Sequence, residues 1–182
     1  MAVSVQLITL DGQWVLQRRS QAKRLFAGRW ANSCCTHPAP TELPEAAASR
    51  RLSDELGVFA VPLFPAGAFT YRATDEVSGL VEHEFDQVFV GFTDLATVPD
   101  PSEIGELWSG PLDQAMVMVG GPEGTPWATT VLRLAANRAC ALLPYLRRDI
   151  HLGAHLEGSS RRSASATSAR STATISPASR MS

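Results

Sequence analysis

The chain has 182 residues, 45% of them hydrophobic and 19% charged, which is enough apolar material for one compact domain and too little length for two. Sixteen basic and eighteen acidic side chains leave a net charge of −2, and no basic stripe interleaved with aromatics is present, which argues against nucleic acid as a partner. No stretch reaches the roughly 18 consecutive apolar residues of a membrane span, and MAVSVQLITLDGQW lacks the basic start and apolar block of a signal peptide, so a cytoplasmic protein with no membrane partner is expected.

The first elements are VSVQLITL and WVLQR, two alternating runs about Asp11-Gly12, which predict a β-hairpin. A loop rich in Arg and Gly leads to Trp30, and the short segment ANSCCTHP follows. The run from Glu42 or Pro44 to Gly57, PEAAASRRLSDELG, has helix formers between a starting Pro and a closing Gly, and predicts a helix of about three turns. VFAVPLF, AFTYRAT and LVEHEFDQVFVGF alternate as strands, with a turn at Val77, Ser78 and Gly79. Glu103 to Trp108 predicts a further short strand, and PLDQAMVMV and TPWATTVLRLAANRACALLPYL two closing helices. A mixed sheet covered by helices, class α+β, is the expected architecture. Residues 1–157 form the expected domain. In residues 158–182, Ser, Ala and Thr make up 17 of 25 positions, a composition with almost nothing to bury that predicts disorder. That tail carries four arginines and no acid, so residues 1–157 hold 12 basic against 18 acidic groups, a net −6.

Three clusters carry chemistry. Glu82 and Glu84 sit two apart in a strand and share a face, where both can grip a hard cation while His83 points away; Leu80, Phe85, Val88 and Val90 suggest that the strand is largely buried. Cys35 and His37 likewise share a face of an extended segment, so a thiol and an imidazole line one pocket, while Cys34 points toward the core. One His and two Glu suit Mn or Mg, or Zn in another geometry, and spacing alone does not choose. Three cysteines, two adjacent and one at Cys140, fit neither a disulfide framework nor a four-cysteine zinc site, and reduced thiols are expected. The third cluster is Arg18, Arg19, Lys23, Arg24 and Arg29, which with Arg51 forms an anion clamp suited to a diphosphate in an otherwise acidic domain. On the helix, Arg50, Arg51, Asp54 and Glu55 are also close enough for ordinary surface pairing.

QRR at 17–19, GRWANSCCTHP at 28–38, RRLSDELG at 50–57, YRATD at 71–75 and GLVEHE at 79–84 resemble, in this order and spacing, the strings of type I isopentenyl-diphosphate isomerases, enzymes of the Nudix fold. The resemblance spans about Ala2 to Arg148. It implies a Nudix-type mixed β-sheet sandwiched by helices, and interconversion of isopentenyl and dimethylallyl diphosphate through a tertiary carbocation in isoprenoid biosynthesis. It places the catalytic cysteine on Cys35, the catalytic glutamate on Glu84 and an active-site tyrosine on Tyr71. It makes His37, Glu82 and Glu84 ligands of a protein-held Mn2+ or Zn2+, and Glu55 a ligand of the Mg2+ that accompanies the diphosphate. Arg19, Lys23 and Arg51 match diphosphate-binding positions. Arg50-Arg51 stands where hydrolases of the fold have Arg-Glu. A homologue that binds diphosphates or a partner without turnover is the alternative.

Three departures from the family pattern stand out. Two further metal-ligand histidines are expected ahead of the first strand, the second immediately before Met1, so the domain reads as truncated at its N-terminus. Leu132 replaces a pocket tryptophan, which leaves Tyr71, Trp30 or Trp127 to face the cation. Thr36 replaces a glycine, a change that matters only if the position needs a positive φ.

Overall fold

The first helix forms where the sequence punctuates it. α1 runs Pro44–Leu56, with Pro44 in the first turn, where no backbone donor is needed, and Gly57 just beyond its end. Gly57 adopts φ 65°, ψ 20°, a left-handed conformation that closes the helix: its N–H bonds Ser53 O and that of Val58 bonds Leu52 O. Ala48, Leu52 and Leu56 form the buried stripe of this helix and pack against Val3, Val5, Leu7, Cys34 and Phe89 of the sheet.

The computed structural model describes residues 1–94 and 96–142, and Met1–Ala141 form one compact unit. Its strands are β1 Ala2–Ile8, β2 Trp14–Arg19, β3 Trp30–Ala31, β4 Cys34–Thr36, β5 Leu63–Thr74, β6 Val81–Phe92 and β7 Ile104–Gly110. They make one mixed sheet in the order β3-β2-β1-β6-β5, with β4 on β1 and β7 on β2. β1 is its centre, buried at every residue and parallel to β6 from Ala2↔Asp86 to Ile8↔Phe92. α2 spans Leu112–Gly120, and a third helix, α3, occupies residues 128–142. The α+β reading holds. The expected tail, and the last part of the predicted third helix, lie outside the described residues.

Two local readings are corrected. The opening hairpin survives only next to its turn, where Ile8 faces Trp14. Beyond that point side chains take over the ladder: Ser33 Oγ accepts from Leu7 N (2.8 Å) and donates to Val15 O (2.6 Å), and Gln6 Nε2 donates to Val15 O (3.0 Å). β1 is thereby freed to pair with β4, Ser4 opposite Cys35, while β2 pairs with β7. VFAVPLF is not a strand of its own; only Leu63 and Phe64 are extended, and they open a 12-residue β5 whose register shifts between Pro65 and Gly67. At the turn before β6, Asp75 Oδ2 accepts from the N–H and hydroxyl of Ser78.

The pleat of β1 and β6 sorts the sheet into two faces. Val3, Val5, Leu7 and Phe89 meet α1, while Val88 joins Phe26, Trp127 and Val131 in a second cluster on the opposite side, edged by Tyr71 and Cys35. Cys34 and Cys35 are divided the same way, Cys34 into the first core and Cys35 beside the second, as expected from their adjacency. Between the second cluster and the end of α1 lies the site.

Candidate active site

A cavity of about 210 Å³ opens on this side, lined by Ser4, Arg19, Lys23, Cys35, His37, Arg51, Tyr71, Glu82, Asp86 and Trp127 among others. β4 contributes Cys35, with His37 just past its end; β5 contributes Tyr71; β6 contributes Glu82 and Asp86; α1 contributes Arg51.

One end is cationic. Arg51 Nη2 lies 2.8 Å from Glu55 Oε1 and 2.7 Å from Glu103 Oε1. Lys23 Nζ is paired with Glu103 and stands 3.9 Å from Glu55. Gln17 Nε2 donates to the other oxygen of Glu55 at 3.3 Å. Glu55 is 1% exposed; burial pushes its carboxyl up, while the charges of Arg51 and Lys23 pull it back. Burial also raises Glu103, but its bonds to Lys23 and Arg51 outweigh that and leave it below the ordinary range. Arg19 is fixed by two bonds to Leu25 O (3.1 and 2.9 Å), with its guanidinium 5.6 Å from the Trp127 ring centroid.

The other end is aromatic and acidic. Tyr71 and Trp127 lie 5.6 Å apart, and Phe26 meets Trp127 edge-on at 5.3 Å. The Tyr71 hydroxyl donates to Glu82 Oε2 (2.9 Å), and burial together with the Glu82 charge pushes the phenol well above its ordinary value. His37 Nε2 lies 3.0 Å from Glu84 Oε1, and the amino group of Met1 is 3.3 Å from Glu84 Oε2. Partial burial raises the Glu84 carboxyl, yet these neighbours bring it below the ordinary range.

Cys35 sits between the two ends. Its thiol donates to Asn32 Oδ1 at 3.2 Å, and Ser4 Oγ is 3.4 Å away. Burial, with the Asp86 charge adding to it, pushes the thiol up to about 11. The Ser4 hydroxyl donates to Asp86 Oδ2 (2.7 Å), and burial lifts Asp86 to about 6.

Cys35, His37, Tyr71 and Glu82 line the cavity together with Arg19, Lys23 and Arg51, whereas Glu84, bonded to His37, and Glu55, behind Arg51, are absent from the lining. Of the five clustered cations, Arg18 and Arg19 end β2 rather than lying in the loop after it, and only Arg19 and Lys23 reach the cavity. Arg18 stacks on Trp30 and lies 3.8 Å from both Glu106 and Glu123, Arg29 caps the carbonyls of Pro122 and Gly124, and Arg24 is exposed. Arg50 pairs outward with Glu42 and Asp54. The first half of β6 is less buried than expected, with Phe85 48% exposed, because that face of the hairpin tip projects into solvent. Leu132 is fully buried and absent from the lining, whereas Trp127 is present. Thr36 is extended in β4; among the described residues the non-glycine positions with positive φ are Phe26, Thr41 and Ala60. Sequence reasoning missed Asp86, Ser4, Asn32 and Glu103. The same two-residue period that paired Glu82 with Glu84 continues to Asp86, so that signal was present.

A sheet of this topology, with α1 packed on one face and a cation-lined cavity, defines the class of protein: residues 1–126 match the NUDIX domain. The MutT protein from Methanosarcina mazei Go1 has the same fold, with a TM-score of 0.62 over 75% of this chain and 92% of that one at 20% identity. The isopentenyl-diphosphate Delta-isomerase of Nocardia farcinica is 45% identical over 136 residues, covering 74% of this chain and 77% of its own. That of Halorhodospira halophila is 42% identical over 130 residues, 70% and 74% of the two chains, while the match to that of Streptomyces griseus, 48% identical, spans 53% of the relative. The chain belongs to the NUDIX domain family and, within it, to the isopentenyl-diphosphate Delta-isomerases.

Proposed function

We propose that this chain interconverts isopentenyl diphosphate and dimethylallyl diphosphate, by protonating the alkene to a tertiary carbocation and removing a different proton. The observation that carries this reading is one cavity in which a thiol, Cys35, faces a carboxylate-bound phenol, Tyr71 with Glu82, beside an aromatic wall and a cationic rim. Moving a double bond requires proton-transfer groups on both sides of the hydrocarbon and no attack on phosphorus. Cys35 serves one side. Glu84, with Tyr71 and Glu82, serves the other. Trp127 and Tyr71 offer π-faces to the cation.

Arg19, Lys23 and Arg51 hold the diphosphate. Arg51 stands where hydrolases of this fold have a glutamate, so the position contributes a cation to binding rather than a carboxylate to hydrolysis. Glu55 is the residue that would hold Mg2+ arriving with the diphosphate. The donor set His37, Glu82 and Glu84 suits Mn2+, Mg2+ or Zn2+ by its chemistry; His37 and Glu84 touch, Glu82 is turned to Tyr71, and among the described residues no three such groups converge on one point. A divalent ion bound there would supply positive charge beside Glu84. No step above depends on it. Reduced thiols at all three cysteines suit a cytoplasmic enzyme, and among the described residues no helix is long and apolar enough to cross a membrane.

Cys35→Ala and Glu84→Gln are each expected to abolish isomerisation while leaving the fold intact by circular dichroism. A near-normal rate in either variant overturns the assignment of proton-transfer groups.

A further inference from the structure

Three neighbouring strands each place one polar side chain in a row. Cys35 on β4 is opposite Ser4 on β1, and Ser4 is two residues along from Ala2, the partner of Asp86 on β6. Ser4 and Asp86 are each 1% exposed, so neither is an incidental surface contact. The hydroxyl of Ser4 has one proton, and its 2.7 Å bond to Asp86 Oδ2 commits it. What remains toward Cys35 is the oxygen lone pairs, 3.4 Å from Sγ.

On its other flank the sulfur meets Asn32, whose orientation is fixed independently. Asn32 Nδ2 donates to Val5 O (3.1 Å) and Cys34 O (2.8 Å), and Oδ1 accepts from Trp127 Nε1 at 3.2 Å. Asn32 Oδ1 takes the single S–H proton, and Ser4 Oγ, its own proton committed to Asp86, packs against the other side of the sulfur at 3.4 Å. Asp86 Oδ1 is buried in the cavity lining without a hydrogen-bond partner, so the carboxylate is retained against its desolvation although only one of its oxygens is bonded.

We infer that Ser4, oriented by Asp86, is a positioning residue for Cys35: it holds the sulfur against the β1 side of the cavity, so that the thiol meets the substrate from a single direction. This deepens the isomerase reading and rests on it for its consequence in turnover. The contact itself is testable without turnover.

The experiment uses the full chain with Ser4→Ala, Ser4→Thr and Asp86→Asn. Two quantities are read: steady-state kinetics with isopentenyl diphosphate, and iodoacetamide labelling of Cys35 by peptide mass spectrometry. Exposed Cys140 sets the reference rate, and fully buried Cys34 reports any general opening. Ser4→Ala is expected to lower kcat about tenfold or more with KM changed by less than about threefold, and to raise Cys35 labelling relative to Cys140 about fivefold. Ser4→Thr, which keeps the hydroxyl, restores both. Asp86→Asn, which removes the charge that commits the Ser4 proton, moves both the same way and serves if the Ser4 variants fail to fold. The inference is overturned if Ser4→Ala leaves kcat and labelling within about twofold of wild type, or if Cys34 labels along with Cys35 in every variant. A wild-type chain that converts no isopentenyl diphosphate overturns the isomerase reading instead, and the labelling ratio alone then decides the positioning role.

Discussion

Asp86→Asn should make the protein more stable, by an amount that depends on pH with a definite sign. The carboxyl is 1% exposed, and burial, with the charge of Glu84 adding to it, lifts it from an ordinary 3.8 to about 6, against the opposing bond from Ser4. A raised carboxyl means that the folded protein binds this proton more tightly than the unfolded chain. Stability therefore falls as pH rises through the window from about 4 to about 6, and the full cost persists above it. A gap of about two units at 1.36 kcal/mol each sets that cost at about 3 kcal/mol, an upper figure for a single buried group. Asparagine has nearly the same shape and no charge to desolvate. Urea denaturation should place the variant about 2 to 3 kcal/mol above wild type near pH 8 and level with it near pH 4. A destabilised variant near pH 8, or the same difference at both pH values, would refute the reasoning.

Arg51→Ala removes the nearest cation from a Glu55 that is 1% exposed, leaving Lys23 at 3.9 Å; about 3 kcal/mol of stability should be lost by denaturation, and the KM for isopentenyl diphosphate should rise. Trp127→Leu should lower kcat by about 10- to 30-fold, the equivalent of about 2 kcal/mol of cation–π stabilisation, as read by steady-state kinetics on the folded variant. Leu132→Ala, by contrast, should cost about 2 to 5 kcal/mol in denaturation and leave the kcat of the folded fraction unchanged, because Leu132 lies in the core and outside the cavity lining.

What could be read from the sequence followed from how local the cause was. α1 was legible because Pro44 and Gly57 punctuate it, and Gly57 meets a conformational demand that the chain itself announces. Glu82 and Glu84 were legible as one face because the period of a strand is local too. The opening hairpin was misread because its ladder is displaced by Ser33 and Gln6, residues far apart in sequence whose side chains replace backbone partners. The length of β5 was hidden by Pro65 and Gly67, ordinarily strand breakers, which here sit at a register shift. Glu103 and Ser4 gain their meaning only from partners distant in sequence, Glu103 from Lys23 and Arg51, and Ser4 from Cys35 and Asp86. The clustered cations shared one composition and two fates. Arg19 and Lys23 turn into the cavity, while Arg18 is drawn to Trp30 and Glu106, a division that only the packing of Trp30 and Trp127 decides.

The central claim is that this cavity moves protons on a hydrocarbon and leaves the diphosphate intact. The direct measurement is product analysis of the full 182-residue chain incubated with isopentenyl diphosphate, Mg2+ and Mn2+, following dimethylallyl diphosphate and inorganic phosphate together. Dimethylallyl diphosphate accumulating without phosphate release, and lost in Cys35→Ala, is the predicted result. Phosphate release without isomerised product, or isomerisation undiminished in Cys35→Ala, would contradict it.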